Sequence, residues 1–193
     1  MPETRSYAPL VWIDCEMTGL DYDNDTIMSV ACFITDHNLN VLDEAGYEAI
    51  ITHSQRQMDA MGIWCKQHHG QSGLTATCLD TTASKPAQQV ADELFAYVQR
   101  FVPERRKALL AGNTVHADKA FLIKPPFKKV VDHLHHRLMD VSAIKEAARR
   151  WAPDEILKKS PQKAGKHEAR ADILESIEEA RYYKKAFFEP RTQ

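Results

Sequence analysis

The chain has 193 residues, a formal net charge of −2, 44% hydrophobic and 27% charged residues. That length supports a single domain with a sizeable core, and the composition excludes a collagen-like, low-complexity or disordered chain. A near-neutral balance also excludes a large basic field for long nucleic acid, so any bound nucleic acid must be held locally.

Residues 10–20 read Leu-Val-Trp-Ile-Asp-Cys-Glu-Met-Thr-Gly-Leu, an apolar, β-rich run with two acids in its middle. Alternation along a strand puts Trp12, Asp14 and Glu16 on one face and Val11, Ile13 and Cys15 on the other. Two carboxylates on one face repel each other. They fit either an edge strand with two solvated acids or half of a divalent-metal site. Hard oxygen ligands without a Cys or His pair favour Mg²⁺ or Mn²⁺ over zinc. The acid-rich stretch 21–25 is a turn by composition, residues 27–35 suit a buried strand, and residues 41–42 with 47–51 form a third strand region. Residues 55–69 are expected to be helical and residues 70–82 a loop. The clearest helix is 85–102, where Val90, Leu94, Val98 and Phe101 recur at helical spacing. A short strand at 108–111 stops at Gly112-Asn113, and helices are expected at 115–123 and 127–134. A strand at 138–141 then leads into a helix at 142–151. The polar stretch 154–166 reads as mobile, and 168–187 as a final helix.

A meander of three strands followed by strand–helix alternation implies an α/β fold with a mixed sheet flanked by helices. That pattern fits a ribonuclease-H-like sheet of five strands with the acidic strand near its centre. No linker divides the chain, so residues 1–193 are read as one domain with a core of about 8–188. Cys15, Cys32, Cys65 and Cys78 lack CxxC spacing and are read as free thiols in a reducing compartment. No apolar run approaches the length of a membrane span, and residues 1–8 hold no signal-peptide core.

Further acids fall at suggestive places. Asp118 follows a short strand and a Gly-Asn turn at a helix start, where an acid can equally answer the helix dipole. Asp172 lies at the border of the apolar face of the last helix, and a solvated helix acid would look the same. His167 stands at that helix's start, where a mobile loop could bring a base in.

Together these stretches resemble the oligoribonucleases, DEDD-type 3′→5′ exonucleases with a histidine in the last motif. The first motif is Trp-Ile-Asp14-Cys-Glu16-Met-Thr-Gly-Leu20. The second is Gly-Asn113-Thr-Val-His-Ala-Asp118-Lys-Ala-Phe-Leu, and the third is His167-Glu-Ala-Arg-Ala-Asp172-Ile. Trp64 with His69 and Ser72-Gly-Leu, Arg137, and Asp140-Val-Ser142 match other family stretches. The resemblance implies an exonuclease domain on a ribonuclease-H-like fold and a homodimer. It also implies degradation of very short single-stranded RNA, mainly dinucleotides, to 5′-nucleotides at the end stage of RNA turnover.

The resemblance also implies two Mg²⁺ or Mn²⁺ ions per site in a two-metal hydrolysis. Asp14 is then the bridging ligand, Glu16 and Asp172 complete one ion's shell, and Asp118 acts through water. His167 takes a proton from the attacking water. Leu20 and Trp64 pack against bases, Arg137 and Ser142 hold the 5′ phosphate, and His69, Asn113 and His136 are further substrate contacts. No membrane is implied, and the expected location is intracellular, cytoplasmic or mitochondrial. Two departures stand out: family members tend to carry Glu at the position of Ser29 and Tyr at that of His136.

Overall fold

The chain was analysed as a computed structural model that describes residues 6–161 and 168–189. Strand β1, Leu10–Met17, lies at the middle of a five-stranded sheet. On one side it pairs antiparallel with β2, Ile27–Thr35, which pairs antiparallel with β3, Tyr47–Ile50. On the other it pairs parallel with β4, Leu109–Gly112, which pairs parallel with β5, His135–Asp140. The order is β3-β2-β1-β4-β5, the mixed sheet that the sequence pattern implies. The acids of β1 therefore sit on the central strand and not at an edge.

The helices are α1 (Gln55–Ala60), α2 (Ile63–Gln71), α3 (Leu74–Leu79), α4 (Ala87–Phe101) and α5 (His116–Leu122). They continue with α6 (Lys128–His133), α7 (Val141–Trp151), α8 (Asp154–Lys158) and α9 (Ala169–Tyr183), and a π-helical turn covers Lys184–Phe188. One sheet face, with Val11, Ile13, Val30, Cys32 and Leu110, packs on Val90, Leu94 and Val98 of α4 and on residues of α5 and α6. The other face, with Trp12, Ala31, Phe33 and Ala111, packs on Ile173, Ile177 and Ala180 of α9 and on Val141 and Ala148 of α7. Each Val, Leu, Ile or Phe among them contributes about 1.5–3 kcal/mol when fully buried. Trp12 thus closes the core on the same strand face that carries Asp14 and Glu16 two and four residues later.

Several boundaries differ from the sequence expectations. The helix expected over 55–69 breaks at Met61, whose backbone is extended, and restarts after Gly62. Met61 is buried with Met58, Met28 and Cys78, so side-chain burial bends the chain where a continuous helix would carry Met61 away. The expected loop at 70–82 contains α3. Gly73 adopts φ +81°, a left-handed conformation suited to glycine, and turns the chain into that helix. Strand β5 begins at His135, three residues earlier than expected, and Val141 belongs to α7. Within the stretch read as mobile, Asp154–Lys158 is helical, and residues 162–166 lie outside the described residues. Among the described residues no helix is long and apolar enough to cross a membrane. All four cysteines are free.

Candidate active site

Asp14 and Glu16 project from β1 toward α9, whose first turn carries Asp172. The three carboxylates each place an oxygen within 4.8 Å of the others. A register shift between Glu16 and Met17 marks the end of the β1–β2 ladder beside them. Bulges of this kind re-aim side chains at sheet ends. Glu16 pairs with Ser29 across that ladder, so the position where the resemblance implies Glu adds no further charge beside Glu16 in this chain.

Like charges this close cannot all ionise without a counter-charge. Burial first, then Asp14 and Asp172, push the Glu16 carboxyl up from 4.5 to about 8. Asp118 of α5 is buried, and its Oδ1 accepts the Cys15 amide at 3.0 Å. Burial, and next Asp14, raise its carboxyl well above the usual range, while the Cys15 amide opposes the shift. A cation would relieve these penalties, and the all-oxygen donor set suits a hard divalent ion. Asp14, Glu16 and Asp172 can hold such an ion, with Asp118 bonded to the backbone between them.

His167 lies outside the described residues. Leu20 and Trp64 are large apolar side chains left 80% and 62% exposed, so neither belongs to the core. Leu20 tips the connection between β1 and β2, and Trp64 stands on α2 with its ring stacked on His68 at 4.8 Å. Helix α2 lies against the site. Its His69 is buried, and Nε2 donates to the Met17 carbonyl at 2.9 Å. His69, expected as a substrate contact, is therefore placed under the end of β1, where it holds the strand. Burial first, and then Asp25 and Glu16, raise the Cys65 thiol beside Trp64.

Asn113, also expected as a substrate contact, is engaged inside the protein. Its Nδ2 donates to Ser176 Oγ at 2.8 Å and to Glu179 Oε2 at 3.1 Å, and its Oδ1 accepts the Ser142 hydroxyl at 3.0 Å. Ser142 Oγ and Asp140 Oδ1 accept the Thr114 amide at 2.9 and 3.0 Å. Asp140 also caps α7 by accepting the Ser142 amide at 2.9 Å. The sequence reading missed Thr114, Glu179 and Asp25. Only Asp140, in an Asp-Val-Ser stretch before an amphipathic run, carried a helix-cap signal.

His136 and Arg137 are exposed on β5. Met139 packs on the Trp12 face and Leu138 on the other. The β4–β5 ladder jumps from Leu109–His135 to Leu110–Leu138, so His136 and Arg137 lie in an irregular stretch where simple alternation does not hold, and the His136 ring stacks on His135 at 4.2 Å. A cleft of about 240 Å³ opens beside Glu16, lined also by Ser29, Glu48, Ser72 and Glu168. A larger apolar groove of about 570 Å³ lies away from the acids, lined by Ile144, Ala147, Trp151, Ile156, Phe187 and Phe188.

A family model described as an exonuclease matches residues 11–180. The mitochondrial oligoribonuclease of Saccharomyces cerevisiae is 43% identical over 194 residues, 97% of this chain and 71% of that one. The human mitochondrial oligoribonuclease is 45% identical over 94% of this chain and 74% of that one. The oligoribonuclease of Streptomyces coelicolor is 42% identical over 94% and 88%. Among solved structures, E. coli exonuclease I with a dA16 oligonucleotide superposes with a TM-score of 0.66 at 16% identity. The match covers 92% of this chain and 41% of that one, so this chain spans about two fifths of its length. That likeness is one of fold.

Proposed function

The chain belongs to the oligoribonuclease family of exonucleases, and on that premise we propose that it hydrolyses very short RNA from the 3′ end. Its substrates are dinucleotides above all, its products 5′-mononucleotides, and its place is the end of RNA turnover. The observation that carries this reading is the carboxylate cluster of Asp14, Glu16 and Asp172, together with the exposed apolar side chains of Leu20 on the β1–β2 loop and Trp64 on α2. Two divalent ions, Mg²⁺ or Mn²⁺, supply the positive charge that activates water and steadies the leaving oxygen.

Asp14, Glu16 and Asp172 would hold those ions, and Asp118, whose Oδ1 holds the Cys15 amide, would act through bound water. His167 accepts the proton of the attacking water, the general-base role that histidine most often fills. Leu20 and Trp64 grip the bases, and a base–aromatic stack is worth about 1–3 kcal/mol. Arg137, exposed on β5, and Ser142 hold the 5′ phosphate. His136, exposed in the irregular part of β5, is assigned to the neighbouring site of a homodimer. The apolar groove with exposed Trp151, on the helix that follows β5, is the surface we assign to that second copy. Residues 8–188 act as one catalytic unit, cytoplasmic or mitochondrial in location.

Turnover of a 5′-phosphorylated dinucleotide and of a twenty-mer tests the reading. Activity should vanish in excess chelator and return with Mg²⁺ or Mn²⁺, and the dinucleotide should be the faster substrate. Asp14→Ala should remove nearly all turnover while the protein stays folded, since the change relieves carboxylate repulsion. Near-normal cleavage by Asp14→Ala would overturn the metal mechanism, and preference for the twenty-mer would overturn the substrate class.

A further inference from the structure

Leu20 is 80% exposed, so its position is set by its backbone neighbours and not by packing. Those neighbours converge on one carboxylate, that of half-buried Asp25. The Thr18 hydroxyl donates to Asp25 Oδ1 at 2.7 Å, and the Asp21 amide donates to Oδ2 at 2.9 Å. Gly19 lies so close beneath that a Cβ there would stand 2.3 Å from Oδ2. The Asp25 amide donates back to the Asp21 carbonyl at 2.8 Å. Thr18 also closes the base of the loop, its amide on the Thr26 carbonyl at 2.9 Å and its hydroxyl accepting the Thr26 amide at 3.0 Å. One residue before Thr18, the Met17 carbonyl accepts from His69 of α2, the helix that carries Trp64. The loop with Leu20 and the helix with Trp64 are thus tied at a common base, and Asp25 fixes how Leu20 stands on it.

We propose that Asp25 is a positioning residue for substrate: it sets Leu20 relative to Trp64 and so fixes the width of the gap that takes the bases. The proposal rests on the reading of Leu20 and Trp64 as base contacts. A gap held open before binding spares the substrate the ordering of a loop, and such preorganisation is felt in binding more than in the chemical step.

Steady-state kinetics on a 5′-phosphorylated dinucleotide test it with Asp25→Ala, Leu20→Ala, the double variant, Gly19→Ala and Asp25→Asn. Asp25→Ala should raise KM roughly tenfold, with kcat within about threefold and half-saturating Mg²⁺ unchanged. In the Leu20→Ala background the same change should add nothing, because Asp25 acts through Leu20. Gly19→Ala should reproduce the KM effect, since its methyl displaces the carboxylate, and it carries the same cycle should Asp25→Ala fail to fold. Asp25→Asn should restore KM to within about threefold, because its carbonyl can take the Asp21 amide while its NH₂ faces Thr18. Additive Leu20 and Asp25 effects, a fall in kcat at constant KM, or a changed Mg²⁺ requirement would overturn the proposal and leave the base contacts standing. An unchanged KM in Leu20→Ala would instead remove the base-contact reading itself.

Discussion

Glu16 stores a pH dependence in the metal-free protein. Its carboxyl is held at about 8 in the fold, against 4.5 for an ordinary glutamate. Below pH 4.5 folded and unfolded chains both carry this proton. Between 4.5 and 8 the unfolded chain releases it and the folded chain keeps it, so Glu16's contribution to stability is lost as pH rises through the folded pKa. Buried Asp118 shifts in the same direction. In excess chelator the melting temperature should therefore fall from pH 5 to pH 8, and the rise caused by Mg²⁺ should grow over that span. Thermal unfolding at a series of pH values measures both, and Glu16→Gln should flatten the chelated slope. An unchanged slope in that variant would show the proton to be held elsewhere. The Glu16 acid was legible because Asp-x-Glu in a β-rich run fixes two carboxylates on one face. Asp25 was not legible, because it is one of three acids in a five-residue turn and its role lies in bonds to Thr18 and Asp21.

At the scale of elements, long periodic segments such as α4 and α9 were legible, and short ones were not. Helix α3 has six residues and owes its place to buried Cys78 and to the left-handed turn at Gly73, neither of which makes a periodic pattern. The joint between α9 and β4 was hidden for another reason. Its members are polar and scattered, yet they converge on Glu179, which is 1% exposed. Glu179 accepts from Asn113, and its Oε1 lies 3.0 Å from Lys145 Nζ. Ser176, bonded to Asn113, donates to the Asp172 carbonyl at 2.7 Å, so the same joint steadies the helix turn that presents Asp172. Glu179→Ala strips the acceptors from half-buried Asn113 and from Lys145 and should cost about 1 kcal/mol of stability, with Glu179→Gln costing less. Urea unfolding of the two variants, with Mg²⁺ affinity measured by titration, checks this. Equal stability of Glu179→Ala and the parent would show the joint to be dispensable.

At the scale of the molecule, β5 is an edge strand whose pairing with β4 skips the exposed His136 and Arg137. Where His136 serves a neighbouring site, a mixed dimer of one Asp14→Ala chain and one His136→Ala chain has one site with both lesions and one with neither. Turnover of the mixture should then exceed that of both parents, while action within one chain would make it additive. His136→Tyr should be tolerated in the same assay, since the larger ring keeps the stacking surface.

The shortness of β4 reaches furthest. Its pairing with β1 ends at Trp12 and Ala111, and the next free β1 donor on that side, the Cys15 amide, is taken by the Asp118 side chain. One rung of the sheet is thus closed by a titratable side chain that belongs to the site, where a peptide carbonyl would ordinarily stand. A carbonyl is neutral and indifferent to its solvent side. Asp118 thus has two duties at once, ending the pairing of the central strand and carrying one of the acids that raise one another's carboxyls, so the sheet's edge of order and the site's charge meet in one side chain.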